Sequence, residues 1–244
     1  MNSYIHNKLT LLYLIFSINI FAQSGEVLYD AEMMIGNLTN IKKAKISNEA
    51  KSLLINSFKN QVKPKYILKF NKNESYFKKV ETLKVDTKKI DLAEIQIGKG
   101  VYYVRKSDKK ILNQKEFSDE LFLIDIPEFS WRLSQETKKI GNYICFKATT
   151  TKEIDTRRGK ALKKITAWYS PKLPYNYGPK DYNGLPGLIL ELQEDSLLLK
   201  VSKISLFPDE EKNIKKPNKG KKVTLKEYDS IVKKIVKNHW RYRQ

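Results

Sequence analysis

The sequence predicts a mainly β fold: a strongly curved antiparallel sheet of consecutive hairpins, with a short helix in the N-terminal half and an amphipathic helix at the C-terminal end. Short runs of alternating apolar and polar residues recur along the chain, and turn-forming residues separate them. Helical spacing of apolar residues occurs in only two places. About nine to eleven strands in one sheet must curl strongly.

The N-terminal half begins with a predicted strand at 24–34 and a short amphipathic helix at 47–60. Within that helix Ala50, Leu53 and Phe58 recur at helical spacing. The next four predicted strands form two hairpins and lie at 65–70, 75–83, 100–106 and 110–117.

The remaining strands complete one antiparallel β domain, which we place at 23–207. A charged loop is expected before residue 163, because Arg157, Arg158 and Lys160 follow one another closely there. The strands themselves are predicted at 121–126, 131–137, 142–150, 163–170, 188–192 and 197–205.

The C-terminal end differs in composition from the β domain. A basic linker is predicted at 208–223, since 212–222 has six lysines and no acidic residue. Thr224 and Glu227 then have capping-box spacing, and apolar residues follow at helical intervals. We therefore predict a helix at 224–243 that buries one apolar stripe.

Residues 1–22 resemble a secretory signal peptide. One lysine precedes an almost unbroken apolar run, which ends at Ala22, the predicted cleavage site. No cysteine follows the run to accept a lipid. The expected location is the periplasm or cell envelope, and the single cysteine of the chain precludes an internal disulfide.

The net charge of +20 suits a nucleic acid, an anionic membrane surface or an acidic partner. Export argues against nucleic acid, and the basic residues are spread along the chain rather than gathered in a recognition motif. A lysine-rich solvated surface is the simplest interpretation. The basic residues of the C-terminal helix leave a membrane-surface contact as an alternative.

Few residues support a catalytic or metal site. Cys145 and His239 are the only cysteine and histidine expected in the exported chain, and they do not suffice for a zinc site. No nucleophile elbow or zinc-protease helix is present. We expect no cofactor and no enzymatic activity, while a hydrolase or transferase using Cys145 or an unrecognised carboxylate pair stays the alternative.

The stretch DYNGLPGLILEL at 181–192 joins turn residues directly to strand residues. Pro186 and Gly187 fit the central positions of a type II turn. The next element is a strand rather than a helix, and no lysine follows the glycines as in a phosphate loop. The stretch is therefore predicted to be a turn that sets how the strand enters the sheet.

These residues resemble the GLPGLI family of Bacteroidota, named for the sequence at 184–189. The resemblance covers roughly the middle third of the chain. Its positions here are Trp131, Tyr143, Cys145, Lys147, Ala148, Trp168, Pro174, Gly178, Pro179, Gly184, Leu185, Pro186, Gly187, Leu188 and Ile189.

The resemblance implies an exported, mainly antiparallel β protein without an established activity, often encoded near outer-membrane receptors. It supplies no catalytic residues, and we read Cys145 as packing against Trp131 and Trp168. The expected function is binding of a peptide, glycan, apolar ligand or outer-membrane protein partner by the curved sheet.

Overall fold

The computed structural model describes residues 24–34, 46–81, 91–156, 159–208 and 212–241. The predicted signal peptide and the last residues of the predicted C-terminal helix lie outside these ranges. The side chain of His239 is likewise not described.

Twelve strands form one sheet, in the order β12-β6-β5-β4-β3-β2-β1-β11-β10-β9-β8-β7. All neighbouring pairs are antiparallel except β12 and β6, which are parallel. The strands are β1 (Ser24–Met33), β2 (Lys65–Asn71), β3 (Glu74–Lys79), β4 (Gly100–Arg105), β5 (Lys110–Phe117), β6 (Glu120–Pro127), β7 (Arg132–Ile140), β8 (Tyr143–Thr156), β9 (Gly159–Ser170), β10 (Leu188–Glu194), β11 (Leu197–Phe207) and β12 (Lys221–Thr224).

The helices are α1 (Asn48–Lys59), α2 (Leu92–Ile97) and α3 (Leu225–Arg241). The predicted capping box is confirmed at the start of α3, where the Thr224 backbone N–H donates to the Glu227 carboxylate at 2.7 Å. A single helical turn at Lys106–Asp108 links β4 to β5. The predicted mainly β fold is confirmed, and so are the two predicted helices, which correspond to α1 and α3.

The sheet curls strongly. Seven strands separate β5 from β8 in the sheet order, so a flat sheet would place them about 38 Å apart. Nevertheless, Lys152 Nζ in β8 lies 5.8 Å from the ring centroid of Phe129, which follows β6, the neighbour of β5. The concave side therefore brings distant strands face to face.

The two sides of the sheet carry different cores. The concave side holds the large core, covered by 171–187, α2 and α3. The convex side holds a small cluster of Tyr103, Leu112, Leu123 and Ile214, with Tyr76 packed against it.

Two predicted segments were wrong, and one helix was not predicted. Residues 151–156 and 159–162, expected to belong to the charged loop before residue 163, are strand, because β8 and β9 stay paired from Phe146–Tyr169 to Thr156–Gly159. Arg157 and Arg158 lie outside the described residues. The linker at 208–223 is not simply exposed, since Ile214 is buried and β12 pairs with β6. Helix α2 was not predicted, although Asp91 caps it by accepting from the Glu94 backbone N–H.

Candidate functional site

The segment 171–187, which we call the plug, fills part of the concave side of the sheet. Tyr175, Tyr177 and Tyr182 are buried in the large core. The Tyr175 ring lies 4.4 Å from that of Phe70 in β2, measured between centroids. The concave side, expected to hold a ligand, is thus occupied in part by the protein's own tyrosines.

Backbone hydrogen bonds close the plug onto the start of β10. The Leu188 N–H donates to Leu173 O at 2.9 Å, and the Gly184 N–H donates to Asn176 O at 2.9 Å. The predicted type II turn is wrong. Gly187 donates to Leu185 O, two residues back, and its φ of +155° is far from the type II value of about +80°.

Two motif glycines are required for different reasons. Gly184 has a φ of +85°, and no atom lies within 4 Å of a Cβ built there. Gly187 also has a positive φ, but its Cβ would lie 2.3 Å from the carbonyl oxygen of Ser170. At Gly184 a side chain would therefore meet only the strain of a positive φ. At Gly187 a side chain would also clash with the end of β9, so the glycine allows the plug to contact that strand.

Charged side chains of the plug and of the neighbouring strands form a group that we call the ion cluster. Lys180 pairs with Glu194, and Lys163 Nζ lies 3.3 Å from the same carboxylate. Lys152 Nζ lies 2.8 Å from an Asp181 carboxylate oxygen. The ion cluster comprises Lys115, Lys152, Lys163, Lys180, Asp181 and Glu194.

The pairs of the ion cluster are largely removed from solvent. The side chains of Lys180 and Glu194 are each 5% exposed, and that of Asp181 is 1% exposed. Charges are seldom buried this deeply unless they are paired, because desolvation costs several kcal/mol per ion. Lys152, at 23% exposed, is the most accessible member of these pairs.

Lys115 distinguishes the ion cluster from a set of closed salt bridges. Burial, then the charges of Lys152 and Lys180, lower the pKa of its ammonium, and Asp229 offsets this only partly. Within the described ranges no carboxylate forms an ion pair with Lys115, whose Nζ lies 4.9 Å from the centroid of the Tyr228 ring. Four lysines therefore face the two carboxylates of the ion cluster, and Asp229 is a third carboxylate that acts on Lys115.

Polar atoms around the ion cluster are also left without partners. Asp181 Oδ1 and both side-chain polar atoms of Asn183 are buried without a hydrogen bond among the described residues. Unpartnered buried polar groups are rare and costly in folded proteins. Their concentration beside surplus positive charge marks this as the candidate functional site.

The electrostatics of the ion cluster predict a pH dependence of stability. Burial raises the pKa of Glu194, but Lys180, Lys163 and Lys152 outweigh it and lower that pKa to about 2. A lowered carboxyl pKa stabilises the fold above the ordinary value near 4.5, and this contribution is lost as the pH falls toward 2.

We therefore expect Glu194 to contribute about 3 kcal/mol at neutral pH, lost between about pH 5 and pH 2. Urea unfolding across this range measures the loss. Glu194→Gln should be less stable at pH 7 and should have a flatter pH profile. Identical pH profiles for the two proteins would contradict the assignment.

The structure brings only some of the family positions to the ion cluster. The Trp131 indole N–H donates to Asn183 O at 2.7 Å, and its ring meets that of Tyr182. Trp168 lies outside the ion cluster, and Lys138 Nζ lies 4.3 Å from the centroid of its ring. Pro174 and Pro186 in the plug are exposed. The buried positions are Ala148 in β8, and Gly178, Pro179, Leu185, Leu188 and Ile189 in the plug and the start of β10. Tyr143 and Lys147 lie in β8, and Lys147 pairs with Glu136.

Cys145 lies apart from the ion cluster. It is fully buried in β8 opposite Lys138, and burial raises the pKa of its thiol to about 11. A thiolate is required for nucleophilic attack. Cys145 therefore lacks the environment of a reactive cysteine.

We expect Cys145 to react with iodoacetamide only after unfolding. At pH 8 the folded protein should show less than about a tenth of the alkylation rate of the urea-unfolded protein, since the thiol is buried and protonated. Mass spectrometry of the intact chain measures both rates. Equal rates would contradict this account and restore the cysteine-enzyme alternative.

Sequence reasoning missed every member of the ion cluster. The available signal was alternation: Lys152 and Lys163 face each other in the β8–β9 register and share a side of the sheet with Ile165. A charged residue at an inward-facing strand position requires a buried partner. The carboxylates that pair with them come from the plug and β10.

No group of three or more possible metal-ligating side chains was found among the described residues. Within the same ranges, no helix is long and apolar enough to cross a bilayer. The site that the described structure offers is thus one of fixed charges and aromatic rings.

The comparisons agree with the family resemblance in coarse terms. Residues 131–164 and 155–191 match a family model described as a protein of unknown function (Porph_ging). The match spans β7 through the plug, the same block that carries the resemblance above. It supports a family of unknown function and does not establish the GLPGLI name.

Solved structures support the fold. Two structures of PNGF-II, in space groups C2 and P21, match with a TM-score of 0.51 each, at 15% and 16% identity. Each match covers 86% of this chain and 33% of the PNGF-II chain, so this chain spans about a third of that protein's length. No curated protein sequence matches.

Proposed function

We propose that this chain is an exported, non-enzymatic binding protein of the cell envelope, and that its ion cluster holds an acidic group of a ligand or envelope partner. The observation that carries the proposal is the surplus of positive charge: the four lysines of the ion cluster outnumber its two carboxylates, Asp229 offsets this only partly, and Lys115 is without an ion pair in the described structure. An acidic group placed between Lys115 and Lys152 supplies the missing negative charge.

The surroundings of Lys115 and Lys152 suit the organic part of such a ligand. Lys115 lies over the ring of Tyr228, and Lys152 Nζ lies 5.8 Å from the centroid of Phe129. Binding sites commonly combine aromatic walls with a few charged groups that fix orientation. The acidic group would be a carboxylate, sulfate or phosphate, since each accepts hydrogen bonds from lysine.

The protonation states favour binding over catalysis. A general acid must carry a proton at working pH, whereas Glu194 has its pKa lowered to about 2. Asp181 is already engaged by Lys152. Cys145 is buried with a raised pKa. These observations support the non-enzymatic proposal.

The packing of α3 supports binding at the ion cluster rather than a role of this helix as a membrane tether. Tyr228, Ile231 and Val232 pack against the large core. The first part of the apolar stripe that a membrane-surface helix would insert is therefore used within the protein. Tyr228 also forms one wall beside Lys115.

Anion-dependent stability tests the proposal. Sulfate, phosphate and acetate should each be compared with sodium chloride at equal ionic strength, because a ligand that binds the folded state raises the unfolding midpoint. At least one anion is expected to raise the unfolding midpoint of the native protein more than it raises that of the Lys115→Met variant. That variant should itself be slightly more stable in chloride, because it removes a half-buried charge that has no ion pair among the described residues.

Lys139→Met is the matched control, since Lys139 is exposed on β7. It should respond to each anion like the native protein. Equal responses of all three proteins would contradict a specific site, because general salt effects act on every surface.

A further inference from the structure

A second charged site lies on the convex side, opposite the ion cluster. A cavity of about 670 Å³ opens between the sheet and the segment 213–219. Its sheet wall is formed by Lys69, Tyr76, Lys78 and Gln114. We call this cavity the basic groove.

The basic groove is lined by positive charge without an acidic side chain. Its five lysines are Lys69, Lys78, Lys215, Lys216 and Lys219. Lys69 pairs with Glu26, and Lys216 pairs with Asp108. The other three lysines form no ion pair with any described residue, so they are available to an outside anion.

The wall formed by 213–219 is held in place along its length. Gln114 Nε2 donates to Lys219 O at 2.8 Å, and Asn71 Nδ2 donates to Lys212 O at 3.0 Å. Between these ends Ile214 is buried in the convex cluster. A fixed wall loses little conformational entropy when a ligand binds.

The remaining lining groups indicate what kind of anion fits. The groove presents the ring of Tyr76 and the amides of Gln114, Asn213 and Asn218. An aromatic ring packs against the apolar face of a sugar, and amides bond to hydroxyl groups. The groove contains none of the large exposed apolar side chains that insertion into lipid requires.

We propose that the basic groove binds a negatively charged oligosaccharide. Its acid groups pair with Lys78, Lys215 and Lys219, and one sugar ring lies on Tyr76. This site is separate from the ion cluster and takes a ligand independently of it.

Calorimetric titration with a galacturonic acid tetramer tests the proposal, with maltotetraose as the uncharged comparison. The native protein should bind the acidic tetramer and not the neutral one. The triple variant Lys78→Gln, Lys215→Gln, Lys219→Gln should bind at least about tenfold more weakly, as three modest ion pairs imply. Tyr76→Leu should also weaken binding.

The control is Lys139→Gln, Lys172→Gln, Lys203→Gln, which removes the same charge from exposed positions elsewhere. It should retain the native affinity. Equal weakening in both triple variants would overturn the proposal. Binding to phosphatidylglycerol vesicles without binding to the tetramer would also overturn it, in favour of a lipid surface.

Discussion

Replacing Gly187 by alanine is expected to lower the free energy of unfolding by about 3 kcal/mol or more. The new Cβ would lie 2.3 Å from Ser170 O, 2.6 Å from Ser170 C and 2.9 Å from Pro171 N. All three are backbone atoms where β9 ends and the plug begins, so the clash is relieved only by moving the backbone of the plug. Urea unfolding followed by tryptophan fluorescence measures the effect.

Gly184→Ala is the matched control for Gly187→Ala. It introduces a side chain at a φ of +85°, but nothing lies within 4 Å of the new Cβ. Only the backbone preference is lost, which costs about 1 kcal/mol. Similar losses at the two glycines would show that the contact between Gly187 and β9 does not hold the plug.

Replacing Lys180 by methionine is expected to destabilise the protein by about 3 kcal/mol. The change removes the closest partner of Glu194 while leaving that carboxylate buried. Lys163 stays near Glu194, at 3.3 Å, and limits the loss. Chemical denaturation at pH 7 measures it.

The double variant Lys180→Met, Glu194→Met separates the charge effect from packing. It should recover part of the stability lost in Lys180→Met, because an apolar pair replaces an unbalanced buried charge. Lys110→Met, which breaks a half-exposed pair with Asp125, should cost less than about 1 kcal/mol. A similar cost for Lys180→Met would mean that the ion cluster is solvated.

The hairpin architecture follows from local patterns, and most of it could be predicted. Alternation in 100–106 and 110–117 anticipates β4 and β5 within a residue or two. Strand β12 could not be recognised in this way, because its lysines read as a solvated linker. Its pairing with β6 depends on a contact between segments about a hundred residues apart.

The ion cluster could be predicted only in part. Alternation in β8 and β9 places Lys152 and Lys163 on one side of the sheet. Nothing local pairs them with Asp181 and Glu194, because the plug must first fold back over the concave side. The position of Lys115 depends on the curvature of the whole sheet.

The ion cluster is also divided between the family block and the rest of the chain. Lys152, Lys163, Lys180 and Asp181 lie within the matched residues 131–191, whereas Lys115 and Glu194 lie outside them. The block thus contributes the plug and the Lys152–Asp181 pair, while Glu194 at the end of β10 and Lys115 in β5 come from outside it. Specificity for a ligand would accordingly be set in part outside the matched block.

The most direct test of the central claim is the pKa of the Lys115 ammonium, measured by NMR of its labelled side chain with and without the best-stabilising anion. In the free protein this pKa should lie below the ordinary value of 10.5, and it should rise when the anion binds. A pKa at or above 10.5 that no anion changes would contradict an unpaired lysine that receives an acidic group.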